Sequence, residues 1–156
     1  MDTKLRLNYK HEYQIVFIEP GDGTHVFMVK LGAYHPSHGV NPFDNRTGAD
    51  FTIPEKVDPY ARFFKVLDRA QNVVFNTTAK SKVWHNFGVQ IDWDAKTLAV
   101  LYSHNENHLK VVTKAVSNDP TSSGSTTQGE FHWGVLKVTN NNDLILIYII
   151  ERTHSP

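Results

Sequence analysis

The sequence predicts an all-β protein, an antiparallel two-sheet β-sandwich or jelly roll, on three observations. Nearly every periodic segment alternates polar and apolar residues at period two, as a strand with one buried face does. No stretch carries a sustained helical stripe with caps at both ends. Turn-forming clusters of Gly, Pro, Asn and Asp separate the alternating runs at the spacing of a sandwich. At 156 residues, 40% hydrophobic and 12% aromatic, the chain has one domain's length and the apolar content for a real core.

The first strand is HEYQIVFIE, His11 to Glu19, ending at a Pro-Gly-Asp-Gly turn. Strict alternation puts His11, Tyr13, Ile15, Phe17 and Glu19 on one face and Glu12, Gln14, Val16 and Ile18 on the other. A second strand covers Val26 to Leu31, and the Pro- and Asn-containing stretch Gly32 to Pro59 reads as a surface loop. Alternation returns at Arg62 to Leu67 and Asn72 to Phe75. The clearest hairpin then follows in VWHNFGVQIDWDAKTLAVLYS. Its outgoing arm aligns Val83, Phe87, Val89, Ile91 and Trp93, Asp94-Ala95-Lys96 supplies the turn, and Leu98, Val100 and Tyr102 alternate on the return. Ser117 to Gly129 is a Ser/Thr/Gly loop, and EFHWGVLK gives a last strong strand. The domain is expected to span residues 1–137, with 138–156 an atypical C-terminal tail. In that tail Leu144 to Ile150 is apolar without alternation, either a fully buried strand or an aggregation-prone edge. It is far shorter than the roughly 20 residues that span a bilayer.

Sixteen basic and sixteen acidic residues cancel, and no basic run occurs, so neither nucleic acid nor a membrane surface is the expected partner. A neutral ligand fits better. The absence of cysteine excludes disulfides and thiolate zinc sites. The N-terminal stretch has no apolar core of a signal peptide. Asn45-Arg-Thr47 and Asn76-Thr-Thr78 are glycan sequons. No phosphate loop, GxSxG elbow, HExxH or closely spaced carboxylate pair is present. The histidine pairs His35/His38 and His104/His108 fall in loops that do not fix convergence, so no metal and no cofactor is expected.

Glu19 and His132 each interrupt an apolar strand. A carboxylate or imidazole on a partly buried face needs partners or acquires a perturbed pKa, the property a general acid or base requires. The plain alternatives are a solvated strand end for Glu19 and a core histidine bonded to a backbone carbonyl for His132. Tyr13, Trp84, Trp93, Tyr102, Phe131 and Trp133 lie on expected strands, where aromatic faces suit either a core or the C–H faces of sugars.

Three stretches together, LNYKHEYQIVFIE, KVWHNFGVQIDWDAKTLAVLYS and GEFHWGVLK, resemble successive strands in the later half of glycoside hydrolase family 131, the fungal secreted β-glucanases. The resemblance implies a jelly roll with a sugar cleft on its concave face, a monomer acting without cofactor on β-1,3-, β-1,4- or β-1,6-glucan, and an extracellular location. It assigns Glu19 to one of the two cleft glutamates and His132 to the cleft histidine. Lys30 falls at the family's lysine, and Tyr13 and Trp133 are the expected sugar-binding aromatics. The family's other glutamate, in an Arg-rich strand of its first half, has no counterpart in this sequence, and Val138 onward departs from the pattern. The expected domain is thus an incomplete β-glucanase-like jelly roll, with a catalytically silent carbohydrate-binding module or a non-functional fragment of the enzyme as the alternative.

Overall fold

The computed structural model describes residues 8–19, 25–33 and 59–119, together with the backbones of 130–138 and 144–151. Residues 34–58 of the loop expected from Gly32 to Pro59, residues 120–129 of that expected from Ser117 to Gly129, the His35/His38 pair and the Asn45 sequon lie outside the described residues, whereas Gly32 and Ser117 themselves end strands. All regular structure described is β: β1 (Glu12–Glu19), β2 (Phe27–Gly32), β3 (Phe63–Leu67), β4 (Val73–Thr78), β5 (His85–Asp92), β6 (Thr97–His104), β7 (Lys110–Val111), β8 (Val116–Ser117), β9 (Glu130–Val138) and β10 (Leu144–Glu151). Two antiparallel sheets result. The first has the order β10-β9-β1-β2-β3-β4, and the second runs β5-β6-β7 with β8 also paired to β6. The chain therefore lays down four strands by hairpins, crosses to build the second sheet, and returns to pair β9 with the free edge of β1.

The core lies between the sheets. Ile18, Phe27, Val29 and Val66 of the first sheet pack with Leu98 and Val100 of the second, flanked by Val16, Phe64, Phe75, Phe87, Val89 and Ile91. These are alternate residues of each strand, so the period-two pattern delivers one apolar face per sheet. The β5–β6 hairpin forms as expected, with the Asp92 carboxylate accepting from the Asp94 and Ala95 amides and Lys96 turning in the left-handed region at φ 52°. Trp93 falls in this loop, outside β5, and is partly exposed. Asn118, buried just after β8, ties the sheets together: its Nδ2 donates to the Val26 carbonyl (3.0 Å) and its Oδ1 accepts from the Arg69 amide (2.8 Å).

Strict alternation fails in β1, and the failure is informative. Gln14 pairs with Lys30 but Val16 with the adjacent Val29, so a β-bulge at Ile15 inserts one extra residue. Beyond it the faces exchange. Tyr13, Val16 and Ile18 take the side of Leu31, Val29 and Phe27, whereas Glu12, Gln14, Phe17 and Glu19 share the outer side with Lys30 and Met28. Tyr13 and Glu19 are therefore on opposite faces, and Glu12 and Glu19 on the same one, the reverse of the expectation from the sequence. The apolar run Leu144 to Ile150 forms a strand at the edge of the first sheet among the described strands. Asn76 of the second sequon is exposed on β4, the opposite edge.

One end of the core is finished by aromatic and imidazole rings. His85 packs on Phe64 (4.8 Å between centroids) and edge-on to His104 (5.4 Å), beside Tyr102. The Lys80 amide donates to His85 Nε2 (3.2 Å), so the ring proton sits on Nδ1 and is donated to the Tyr102 hydroxyl (2.6 Å). Burial holds the His85 pKa below the usual 6.5; the hydrogen bond with the Lys80 backbone opposes that shift, and the neighbouring His104 and Lys80 charges add to it.

Two predictions follow from these packing constraints. Gly32 has φ 96°, and an added Cβ would collide with the His11 carbonyl oxygen, so Gly32→Ala should cost about 2 kcal/mol or more in urea unfolding. Because the folded-state pKa of His85 is depressed, the unfolded chain takes up the proton first as pH falls below 6.5. Stability is then lost progressively down through the folded pKa. The urea midpoint of the wild type should fall more steeply from pH 7.5 to 5 than that of His85→Gln, and parallel curves would refute this role.

Candidate active-site face of the first sheet

The outer face of β1 and β2 is polar and, at one end, deeply buried. Glu12 and Lys30 form an ion pair at 3.2 Å with side chains 2% and 3% exposed, and Gln14 Nε2 donates to the same Glu12 oxygen at 3.3 Å. Lys65, opposite Lys30 on β3 and also buried, donates to the Gly32 carbonyl at 2.7 Å. Burial pushes the Lys30 pKa down, and the charge and hydrogen bond of Glu12 oppose that shift.

Glu19 occupies the other end of β1. Its side chain is 38% exposed, and its carboxylate lies 4.0 Å from His25 Nε2, an ion pair whenever the imidazole is protonated. The Phe17 ring meets His25 edge-on at 4.9 Å between centroids, which holds the imidazole beside the carboxylate. His25 was not singled out from the sequence. The signal was present, because a Pro-Gly-Asp-Gly stretch between two alternating runs predicts a turn, and a turn brings the residues just after it back past the end of the first strand.

The remaining sequence-derived candidates separate. Tyr13 is buried on the core side, its hydroxyl accepting from the Asn8 amide (2.9 Å) and donating to the Asn8 carbonyl (3.2 Å). Lys30 stands opposite Gln14, about 15 Å along the strand from Glu19 at the usual rise per residue. Glu12 is about 20 Å from Glu19 on the same basis, well beyond the roughly 5–10 Å between paired glycosidase carboxyls. The side chains of Glu130, His132 and Trp133 lie outside the described residues, but their register is set. Glu19 pairs with Glu130, Phe17 with His132 and Val16 with Trp133. Among the described residues, no group of three or more His, Asp or Glu side chains is placed to hold a metal ion.

The chain as a whole has counterparts among known proteins. The family model described as the glycoside hydrolase 131 catalytic N-terminal domain matches residues 1–153. The chain belongs to glycoside hydrolase family 131. The match runs through residues 138–153, the segment that the sequence pattern sets apart as a tail, and β10 of that segment pairs with β9 inside the first sheet.

Two solved family 131 structures share the fold. The catalytic domain of the glycoside hydrolase family 131 protein from Coprinopsis cinerea aligns with a TM-score of 0.60 and 21% identity, over 91% of this chain and 46% of its own. The GH131 β-glucanase catalytic domain from Podospora anserina aligns with a TM-score of 0.57 and 21% identity, over 84% of this chain and 43% of its own. The chain thus spans less than half the length of either structure. No curated protein matches it.

The buried ion pair gives a thermodynamic test of how this family 131 face is held. Lys30→Met leaves the Glu12 charge buried with its ammonium partner removed and should cost about 3–5 kcal/mol in urea unfolding. The double variant Glu12→Gln/Lys30→Met removes both charges and should recover most of that loss. Equal destabilisation by the single and double variants would show that the pair is not coupled.

Proposed function

We propose that this chain is part of a family 131 hydrolase that cleaves glycosidic bonds in a β-glucan, with Glu19 as one of the two carboxyl groups the reaction needs. The family assignment supplies the reaction class. The position of Glu19 carries the residue assignment: it is the half-exposed carboxylate that ends β1 on the polar outer face, with His25 at 4.0 Å. Glycoside hydrolysis requires one carboxyl to protonate the leaving oxygen and a second to attack the sugar or activate water. Glu19 is accessible to a substrate, whereas Glu12 is sealed into its ion pair with Lys30.

Glu130 is the candidate second carboxyl, since it stands opposite Glu19 in the β1–β9 register. Directly opposed residues in antiparallel strands have Cβ atoms about 4.5–5.5 Å apart. That spacing meets the short end of the roughly 5–10 Å that separates the two carboxyl groups of a glycosidase pair. In this reading His25 and His132, the latter opposite Phe17, position or tune the pair. Lys30 shapes the deeper end of the same face, whereas Tyr13, buried on the core side, and Trp133, which stands opposite Val16 of that same side in the register, are not among the residues proposed to meet the sugar. The substrate is a neutral polysaccharide, in keeping with the balanced charge of the chain.

The test is reducing-end release from laminarin and from a β-1,4-glucan, alongside binding. Glu19→Gln should lower the rate at least about 10²-fold with the fold retained, because it removes a proton-transferring or nucleophilic group. Full activity of Glu19→Gln would sink the assignment. Loss of activity in Glu130→Gln as well identifies the pair, and its retention places the second carboxyl elsewhere. Binding with no product from the wild type would instead make the chain a carbohydrate-binding module.

A further inference from the structure

Trp84 is an exposed tryptophan on the far side of the sandwich from Glu19. Its side chain is 78% exposed, the highest value among the large hydrophobics of the described residues. It lies one position before β5, next to His85, whose ring packs inward on Phe64. Alternation therefore directs Trp84 away from the core, to the outer side of the second sheet.

A single exposed indole is not by itself a site, but here its backbone is held in place. The Trp84 amide donates to Asn105 Oδ1 (3.0 Å), and the Trp84 carbonyl accepts from the Asn105 amide (2.8 Å). Asn105 sits at φ 52°, a left-handed conformation that asparagine tolerates better than most residues. Asn86 Nδ2 braces it by donating to the Asn105 carbonyl (2.6 Å) and to Ser103 Oγ (3.1 Å), and the Ser103 hydroxyl donates to the Asn107 carbonyl (2.8 Å). Two strands and a turn thus fix the point from which the ring projects. Asn86 Oδ1 and Asn105 Nδ2 make no hydrogen bond among the described residues, so an acceptor and a donor remain beside the ring.

We infer that Trp84, with Asn86 and Asn105, forms a second glucan-binding site that holds the polymer on the side of the sandwich opposite the proposed reactive carboxylate. An indole offers a flat apolar surface for the C–H face of a pyranose, and amide donors and acceptors match its hydroxyls. The ligand has no charge to match, as suits a chain with sixteen basic and sixteen acidic residues and no basic run. The choice of a β-glucan rests on the function proposed above.

Native affinity electrophoresis in gels containing laminarin tests this, with reducing-end release measured in parallel. The wild type should be retarded, and Trp84→Ala should need on the order of three- to tenfold more glucan for the same retardation. Trp84→Phe should retain most of the wild-type effect. Because the ring is exposed, thermal unfolding of Trp84→Ala should match the wild type, so lost retardation cannot be charged to misfolding. Equal retardation of wild type and Trp84→Ala would overturn the site, and so would no retardation of the wild type. In either case, continued release of reducing ends would leave the proposed hydrolase function standing. A shift from dimer to monomer in Trp84→Ala by sedimentation, with retardation unchanged, would assign the indole to a protein contact and also overturn the glucan site.

Discussion

The outer face of the first sheet depends on one extra residue, Ile15. If β1 alternated without interruption, Glu12 and Gln14 would share a face with Val16 and Ile18 and lie in the apolar core. The bulge lets the first half of the strand present its even positions outward and the second half its odd ones. Glu12, Gln14 and Glu19 are thereby gathered on one side, with Phe17 among them, and Tyr13, Val16 and Ile18 on the other. The register shift recurs where β9 pairs with β1 and where β10 pairs with β9, so the irregularity runs across three neighbouring strands.

The Glu12–Lys30 pair guards that register. Buried ion pairs contribute little net stability, because removing both charges from water costs about as much as their attraction returns. They penalise errors heavily. A slip of one residue between β1 and β2 would leave two charges in a dry environment without each other, at several kcal/mol each. Lys65 extends the same device to β3 by capping the carbonyl of Gly32, a residue whose left-handed φ already fixes how the chain leaves β2. The end of the sheet farthest from Glu19 is thus the part whose geometry is most tightly specified.

Much of this was legible in the sequence, and the misses have physical causes. The strands and the β5–β6 hairpin follow from alternation and turn chemistry, which are local properties. The edges of β2 and β4 came out one to three residues away, where strand ends fray. The bulge was not legible, because an inserted residue leaves the local pattern of apolar residues intact and shows only in the pairing with β2. Reading straight through it placed Tyr13 beside Glu19 and set Glu12 apart. Trp84 and Trp93 were counted as strand residues, yet each falls one position outside β5, where solvent rather than a neighbouring sheet meets the ring. Glu19 and Lys30 were both singled out, but only the structure separates a carboxylate open to solvent from a lysine committed to an internal partner.

Solvent access along β1 follows a gradient that bears on the chemistry. Glu12, 2% exposed, is locked to an ammonium, and Glu19, seven positions later, is 38% exposed with the His25 imidazole 4.0 Å away. A carboxylate engaged like Glu12 has its lone pairs occupied and its charge neutralised, so it holds structure but transfers no proton. A carboxylate placed like Glu19 keeps part of its surface open to solvent and its lone pairs uncommitted to a buried partner. One strand therefore separates a rigid anchor from a carboxylate open to solvent by about 20 Å, and the bulge between them keeps both on the same side of the sheet.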